Sequence, residues 1–559
     1  MPRRHAPRTL RTLAAALLPL ALLALLAVAS AQGGVAGTTP LPAFPLERLV
    51  PGDRGHGLTE GPGGRIERFE VRVVALQEGL GPAGLDLVLI EARGPVIDAA
   101  GGVAAGMSGS PVYLELDGAP ALLGAIGYVF PNATGSLALV TPIDAMRRQA
   151  LGAHAFGGAE GIVPVSTPLL VAGLGARALA LLEEVVLRDA MMPFVPIQAG
   201  GTSASRTRTD ATERVEPGSA VAIGLVRGDV DVAAVGTVTE VDGDRLLALG
   251  HAFFGGGPSD WLLASATVTA IVPSRVVPFK LAVIDDRPLG AVVQDRPAGI
   301  AAQLGATPGS IDVTLHVDVA GVRDTLRFEV VADETLWPAL VAVATLEGLD
   351  RVWQRVSSGS ARLAWELELE GGPPLRLLDE VSHASDVTLA SARMAGAPLA
   401  LVAGNPFETP RPTSLQLIVE LDEGRRDAEL VEALLDEGPL RAGASVGLFL
   451  RVQPWRRQSE VHSMTVRLPD DLGADTTLVV RGAGEPRDDD HDGSVDGLIL
   501  SYAELLTVLR ERPRRGDLLV EVLGADGRWE LLERRSLPHL VHGVERIELS
   551  LEASDDTSE

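Results

Sequence analysis

The sequence predicts a mainly β protein with a few helices set between barrels or sandwiches. Three observations carry that expectation. Apolar and polar residues alternate in short runs, as where Phe69, Val71 and Val73 interleave with Glu70 and Arg72, the period of a half-buried strand. Gly and Pro punctuate these runs, marking turns. The chain has 559 residues, 46% of them apolar, too many for one core, so about three domains are expected at roughly 150 residues each.

Taken in order, residues 1–31 read as a secretory signal. Arg3, Arg4, Arg8 and Arg11 form a positive start, Leu13 to Val28 is nearly unbroken Ala/Leu, and Ala29-Ser30-Ala31 offers a cleavage site. An uncleaved anchor is the competing reading, although the run falls short of the roughly 20 residues a spanning helix needs. Cleavage after Ala31 predicts a secreted or periplasmic protein with no membrane span in the mature chain. Residues 40–150 form a first β lobe, with strands at Phe69–Val73, Leu85–Glu91 and Ala121–Tyr128. Residues 151–218 hold a helix, signalled by Ala178, Leu181, Leu182, Val185 and Val186 between Leu169 and Met192, and then a polar linker from Gly200 to Gly218.

Residues 219–398 form a second β block. Val232–Val241 and Arg245–Leu249 flank Asp242-Gly243, a strong hairpin turn because Gly accepts positive φ. Ile311, Val313, Leu315 and Val317 alternate with polar residues and pair with Thr325–Val331; Trp337–Leu349 is predicted helical. Residues 399–552 form a third, β-rich block with strands at Leu415–Leu421, Ser445–Val452 and Thr477–Arg481 and helices at Ala428–Leu435 and Tyr502–Arg510. Residues 553–559 are an acidic tail.

A net charge of −26 argues against nucleic acid, whose phosphates need a basic stripe. The absence of cysteine excludes disulfides, thiolate zinc sites and a cysteine nucleophile. Lys280 is the only lysine among 48 Lys and Arg.

The chemistry concentrates in Gly106-Met107-Ser108-Gly109-Ser110-Pro111. A serine held between glycines projects its hydroxyl, lets a substrate approach the backbone and converges N–H groups on a developing oxyanion. A plain Gly/Ser turn is the competing reading. Such a serine needs a base within reach. His251 closes the apolar strand Leu246–Leu249, follows Gly250 and precedes a glycine run, which places it to enter a cleft. His56, in Asp53-Arg54-Gly55-His56-Gly57, is the rival base.

The hexapeptide, with Gly101-Gly102-Val103 before it and Leu123-Gly124-Ala125 after it, resembles the serine signature of SpoIVB-type serine peptidases. The stretch from Gly236-Thr237-Val238-Thr239 to Ala248-Leu249-Gly250-His251 is similar to that family's histidine region. Phe279-Lys280 and Gln294–Ile300 also resemble it. The similarity covers about residues 45 to 330. It implies a two-lobed, trypsin-like β-barrel peptidase unit followed by a C-terminal accessory domain. It also implies a secreted endopeptidase acting on a protein or peptide substrate, with no cofactor required for catalysis. Carried over, Ser108 is the nucleophile, His251 the general base, and the N–H groups of Gly106 and Ser108 the oxyanion hole. Here the serine precedes the histidine, the reverse of the family's order. Arg93 stands where the family carries its acid; Glu91 and Asp98 are the nearest acids, and Asp98 is the nearer to the serine. Met107 occupies the position of the acid that pairs with a newly cut N-terminus in trypsin-like enzymes, so that mode of activation is not expected. A non-catalytic binding or surface protein retaining the scaffold is the alternative function.

One further loop carries chemistry. In Asp488-Asp489-Asp490-His491-Asp492-Gly493-Ser494-Val495-Asp496, the carboxylates of Asp488, Asp490, Asp492 and Asp496 and the central Gly resemble a calcium loop. Ile499 stands where the twelfth-position Glu is expected. A structural calcium and a solvated acidic turn are the two readings.

Overall fold

The computed structural model describes residues 40–131, 136–150, 161–188, 190, 192–198, 215–436, 438, 440–473, 475–486, 499–524 and 527–551. The expected leader, most of the linker, the four aspartates of the acidic loop and the acidic tail lie outside the described residues. Among the described residues no helix is long and apolar enough to cross a membrane.

Six strands form the first barrel: β1 (Arg54–Gly61), β2 (Arg65–Gln77), β3 (Leu87–Arg93), β4 (Pro111–Leu116), β5 (Ala119–Val129) and β6 (Leu137–Pro142). They pair antiparallel in the order β1-β2-β3-β6-β5-β4, and β4 returns to β1, so no edge remains open. Closure gives every strand of the barrel a partner on both sides, which an open sheet cannot do. Phe69, Val71 and Val73 point inward with Ile90, Leu123 and Ile126. The short β7 (Val163–Pro164) adds to β5.

Next, β8 (Thr167–Ala172) and β9 (Phe194–Gln198) lie parallel beside each other, and β8 flanks the second barrel. Between them is a helix, Ala176–Leu182, continued by a π turn, Glu183–Leu187. The helix expected between Leu169 and Met192 is therefore present, with β8 ahead of it. The second barrel comprises β10 (Ala220–Gly228), β11 (Asp231–Asp242), β12 (Arg245–Ala248), β13 (Gly257–Val272), β14 (Phe279–Arg296) and β15 (Gly299–Leu304). It closes antiparallel as β10-β13-β14-β15-β12-β11-β10. The expected Asp242-Gly243 hairpin joins β11 to β12, with Gly243 at φ 62°. The protein is thus mainly β, with two six-stranded antiparallel barrels of the trypsin-like kind and additional β-rich structure.

From β10 the sheet continues in the order β17 (Val322–Val331), β16 (Ser310–Val319), β20 (Pro412–Asp422), β18 (Gly359–Leu369) and β19 (Leu375–His383). Helices Trp337–Trp353 and Val387–Ala403 pack on this extension and share one core with the second barrel. The expected boundary at residue 399 falls inside the second of these helices. The strand at Leu415–Leu421 belongs to the middle sheet, because β20 lies parallel to β16 and antiparallel to β18. The last domain begins after Asp422. It stacks β21 (Asp427–Leu435), β22 (Ser445–Pro454), β23 (Glu460–Arg467) and β27 (Leu540–His542) against β24 (Asp475–Gly482), β25 (Asp517–Leu523), β26 (Trp529–Ser536) and β28 (Val544–Ser550). Ala428–Leu435, expected to be helical, is β21. A bulge between Leu430 and Glu432 interrupts the alternation, so Leu430 and Ala433 fall three apart and imitate a helix face. The expected helix at Tyr502–Arg510 is present as Tyr502–Glu511.

Candidate active site between two barrels

The serine loop, between the helix Pro95–Ala100 and β4, is seated against both barrels. On its own side, Gly109 N–H donates to the Ile126 carbonyl of β5, and Ile126 N–H donates back to Ser110. On the far side, β11 holds three carbonyls of the loop. Thr237 Oγ1 donates to Gly106 O (2.8 Å), Thr237 N–H to Ser108 O (2.9 Å), and Thr239 Oγ1 to Gly109 O (2.8 Å). Gly106 and Gly109 take φ of 88° and 92°, the region glycine enters without steric cost. A Cβ on Gly109 would lie 1.9 Å from the Thr237 carbonyl, so the approach of the two barrels requires glycine there.

The histidine loop crosses the same junction from the opposite direction. Leu249 and Gly250 both take positive φ and turn the chain out of β12. Thr141 Oγ1 of β6 donates to Gly250 O at 2.6 Å, and a Cβ on Gly127 would meet that same carbonyl at 2.2 Å. Asp295 of β14 organises the turn after His251, accepting from the N–H groups of Phe253, Phe254 and Gly255 at 2.6–2.7 Å. Burial pushes its carboxyl up to about 6, against those same hydrogen bonds.

Among the buried polar atoms without a partner, which include Thr167 Oγ1 beside Ser166, two belong to these loops, Ser108 Oγ and His251 Nε2. Both residues are fully enclosed, and the two atoms do not hydrogen-bond to each other. His251 Nδ1 lies 2.7 Å from the carbonyl of Ala252, which fixes the proton on Nδ1 and leaves Nε2 as an acceptor. Burial pushes the imidazole down to about 4, with the Ala252 and Val165 carbonyls opposing, so the ring is neutral at pH 7. Tyr128 meets it edge-on at 6.3 Å between ring centroids.

The expected acids are elsewhere. Asp98 is exposed on the helix Pro95–Ala100, and Glu91 is taken up by Arg72 and Arg93. The carbonyl of Ala252 occupies the orienting position that Asp98 was expected to fill. Gly106 N–H is also engaged, donating to Ser166 O at 3.2 Å, so it is not free to serve an oxyanion; Ser108 N–H has no backbone acceptor among the described residues. His56 stacks on Tyr113 at 5.1 Å and does not bond to Ser108.

Beneath the loop lies a charged link through Lys280, to which the Phe279-Lys280 resemblance attached no role. Lys280, fully buried on β14, reaches across to the first barrel. Its Nζ donates to Thr59 Oγ1 of β1 (2.8 Å) and Thr237 Oγ1 (3.1 Å), and Ser110 Oγ donates to Thr59 Oγ1 at 3.0 Å. Lys280 N–H also donates to Ala105 O. Burial pushes the ammonium down to about 7, with the Glu60 charge opposing. Glu60 makes the reciprocal crossing, accepting from Ala220 and Val268 of the second barrel at 2.8 Å each. Besides that resemblance, the signal was compositional: a lone lysine in an arginine-rich chain.

No family model, curated protein or solved structure matches this chain.

Proposed function

We propose that this chain is an extracytoplasmic serine peptidase of the SpoIVB type, with Ser108 as nucleophile and His251 as general base. The observation that carries the reading is the pair of unsatisfied buried atoms, Ser108 Oγ and His251 Nε2, on loops that two separate barrels bring to one junction. Buried polar atoms are normally paired, and exceptions call for an explanation such as a catalytic role. Ser108 Oγ would attack a peptide carbonyl carbon while His251 Nε2 takes its proton. The tetrahedral oxyanion would settle on Ser108 N–H. The C–N bond would then break as His251 returns the proton to the leaving amine, and water would hydrolyse the acyl-enzyme by the reverse route. The Ala252 carbonyl would hold the ring in the required tautomer.

The complete enclosure of both residues favours a second reading, a non-catalytic surface or binding protein that keeps the barrels. Labelling of the exported chain with a fluorophosphonate separates the two. The peptidase reading requires labelling that disappears in Ser108→Ala and falls at least roughly a hundredfold in His251→Ala. Equal labelling of all three proteins, or none of the wild type under conditions where it cleaves itself or casein, defeats it.

A further inference from the structure

The middle sheet and the C-terminal domain enclose a cavity of about 430 Å³, lined by residues of neither barrel. Its floor is apolar: Trp365, Leu377, Met394, Pro398 and Leu509. Around that floor stand six arginines, Arg376, Arg510, Arg512, Arg514, Arg515 and Arg534, against a single acid, Asp379. In a chain with 74 Asp and Glu and a net charge of −26, this is a local inversion of sign.

Local structure accounts for only part of it. Arg376 pairs with Glu366, and Arg534 pairs with Asp517 and donates to the Glu511 and Arg512 carbonyls at the end of the helix Tyr502–Glu511. The Asp379 carboxylate is already used by the backbone N–H groups of Glu380 and Arg515. The guanidinium groups of Arg510, Arg512, Arg514 and Arg515 have no ion-pair or hydrogen-bond partner among the described residues. Four like charges on six consecutive residues, with Glu511 the one acid among them, repel one another. Guanidinium groups bind carboxylate and phosphate bidentately, and the volume lies in the range of small-molecule sites.

We propose that this cavity binds a small organic anion, a carboxylate or phosphate ester on an apolar body, with the body on Trp365 and Met394 and the oxyanion on the arginines of 510–515. The site is independent of the peptidase reading.

Calorimetric titration of the full exported chain with 2-naphthoate, 1-naphthyl phosphate and neutral 2-naphthol tests it, with the two anions distinguishing the oxyanion class. Either anion should bind at one site per chain and 2-naphthol at least tenfold more weakly. The triple substitution Arg510→Ser, Arg512→Ser, Arg515→Ser touches exposed side chains and should keep the thermal midpoint while weakening the anion at least tenfold. Ala397, exposed on the helix Val387–Ala403, also lines the cavity; Ala397→Trp places a large side chain in that space, leaves every arginine in place and should abolish binding. No saturable binding of either anion, binding indifferent to the triple substitution, or binding that survives Ala397→Trp would each overturn the proposal, the last reducing it to surface charge attraction.

Discussion

Lys280 offers the sharpest quantitative test of how the two barrels are joined. Its ammonium, fully buried, has its midpoint lowered from 10.5 to about 7. At 1.36 kcal/mol per pH unit, this corresponds to on the order of 5 kcal/mol against holding the charge inside. The sign comes from proton binding. Below about pH 7 the folded and unfolded chains both carry the proton, and the full penalty is present. Between 7 and 10.5 only the unfolded chain retains it, so stability rises with pH, and above 10.5 the penalty is gone. Lys280→Met keeps the length of the side chain and removes the titration. Thr237 keeps its bond to Gly106 and Ser110 its bond to Thr59, so the other losses are nearly independent of pH. Hydrogen exchange of the peptide spanning residues 104–110, compared between the two proteins at equal pH, cancels intrinsic exchange rates. It reads local opening, which matters because a protein of several domains need not unfold in one step. The variant should be the more protected at pH 6.5, and its advantage should shrink by several kcal/mol by pH 9.5. A difference constant across that range refutes a buried charge at this junction.

The same geometry sets three other outcomes. Gly109→Ala sets a Cβ 1.9 Å from the Thr237 carbonyl at φ 92°; it should cost about 4 kcal/mol or more, read as a fall in thermal midpoint, and a midpoint within 2 °C of wild type contradicts the interlocked loops. Asp295→Ala orphans three N–H groups of the histidine loop, each worth about 1–3 kcal/mol, and should expose residues 253–256 to limited proteolysis; unchanged resistance counts against the anchoring role. His251, held down to about 4, makes the fold lose stability as pH falls from 6.5 to 4, because only the unfolded chain takes up the proton in that window; the total is on the order of 3 kcal/mol. His251→Phe should lose less over that interval, and parallel acid titrations of the two proteins would remove the argument.

Strands with one buried face were legible through strict alternation, and those buried on both faces, such as β5 and β11, through apolar runs beside glycine turns. Ile311, Val313, Leu315 and Val317 are buried in β16 as the pattern requires. Where a bulge broke the period, in β21, the same reasoning produced a helix. The domain boundary failed at β20 for a different reason. Its partners β16 and β18 are remote in sequence, and parallel pairing with β16 leaves no hairpin turn to read. In the site, Ser108 and His251 were legible because tight glycine turns mark them locally. The partners of each depend on the docking of two barrels, which no local spacing encodes. The nearest acid in sequence, Asp98, therefore faces solvent, while the ring is oriented by the carbonyl of the next residue, Ala252. Thr59 and Thr237, which meet the Lys280 ammonium, are separated from it by 221 and 43 residues.

The bonding of the serine loop also fixes what an acylation step could draw on. Every bond from β11 goes to a carbonyl, those of Gly106, Ser108 and Gly109, so the second barrel grips one edge of the loop and leaves the other. On that other edge Met107, Gly109 and Ser110 N–H groups are spent on Ala104, Ile126 and Met107, and Gly106 N–H on Ser166. Among the described residues, Ser108 N–H is the one donor in the hexapeptide left to meet an oxyanion. Removing one donor from a two-donor hole costs about 3 kcal/mol in transition-state stabilisation, a factor of roughly a hundred to a thousand in rate. Ser108 should therefore react with a fluorophosphonate that much more slowly than a two-donor peptidase assayed beside it. The deficit should persist at pH 8, where His251 is neutral. Labelling as fast as the reference enzyme would mean that Gly106 N–H leaves the Ser166 carbonyl in the reactive state, and the account of a single-donor site would fall.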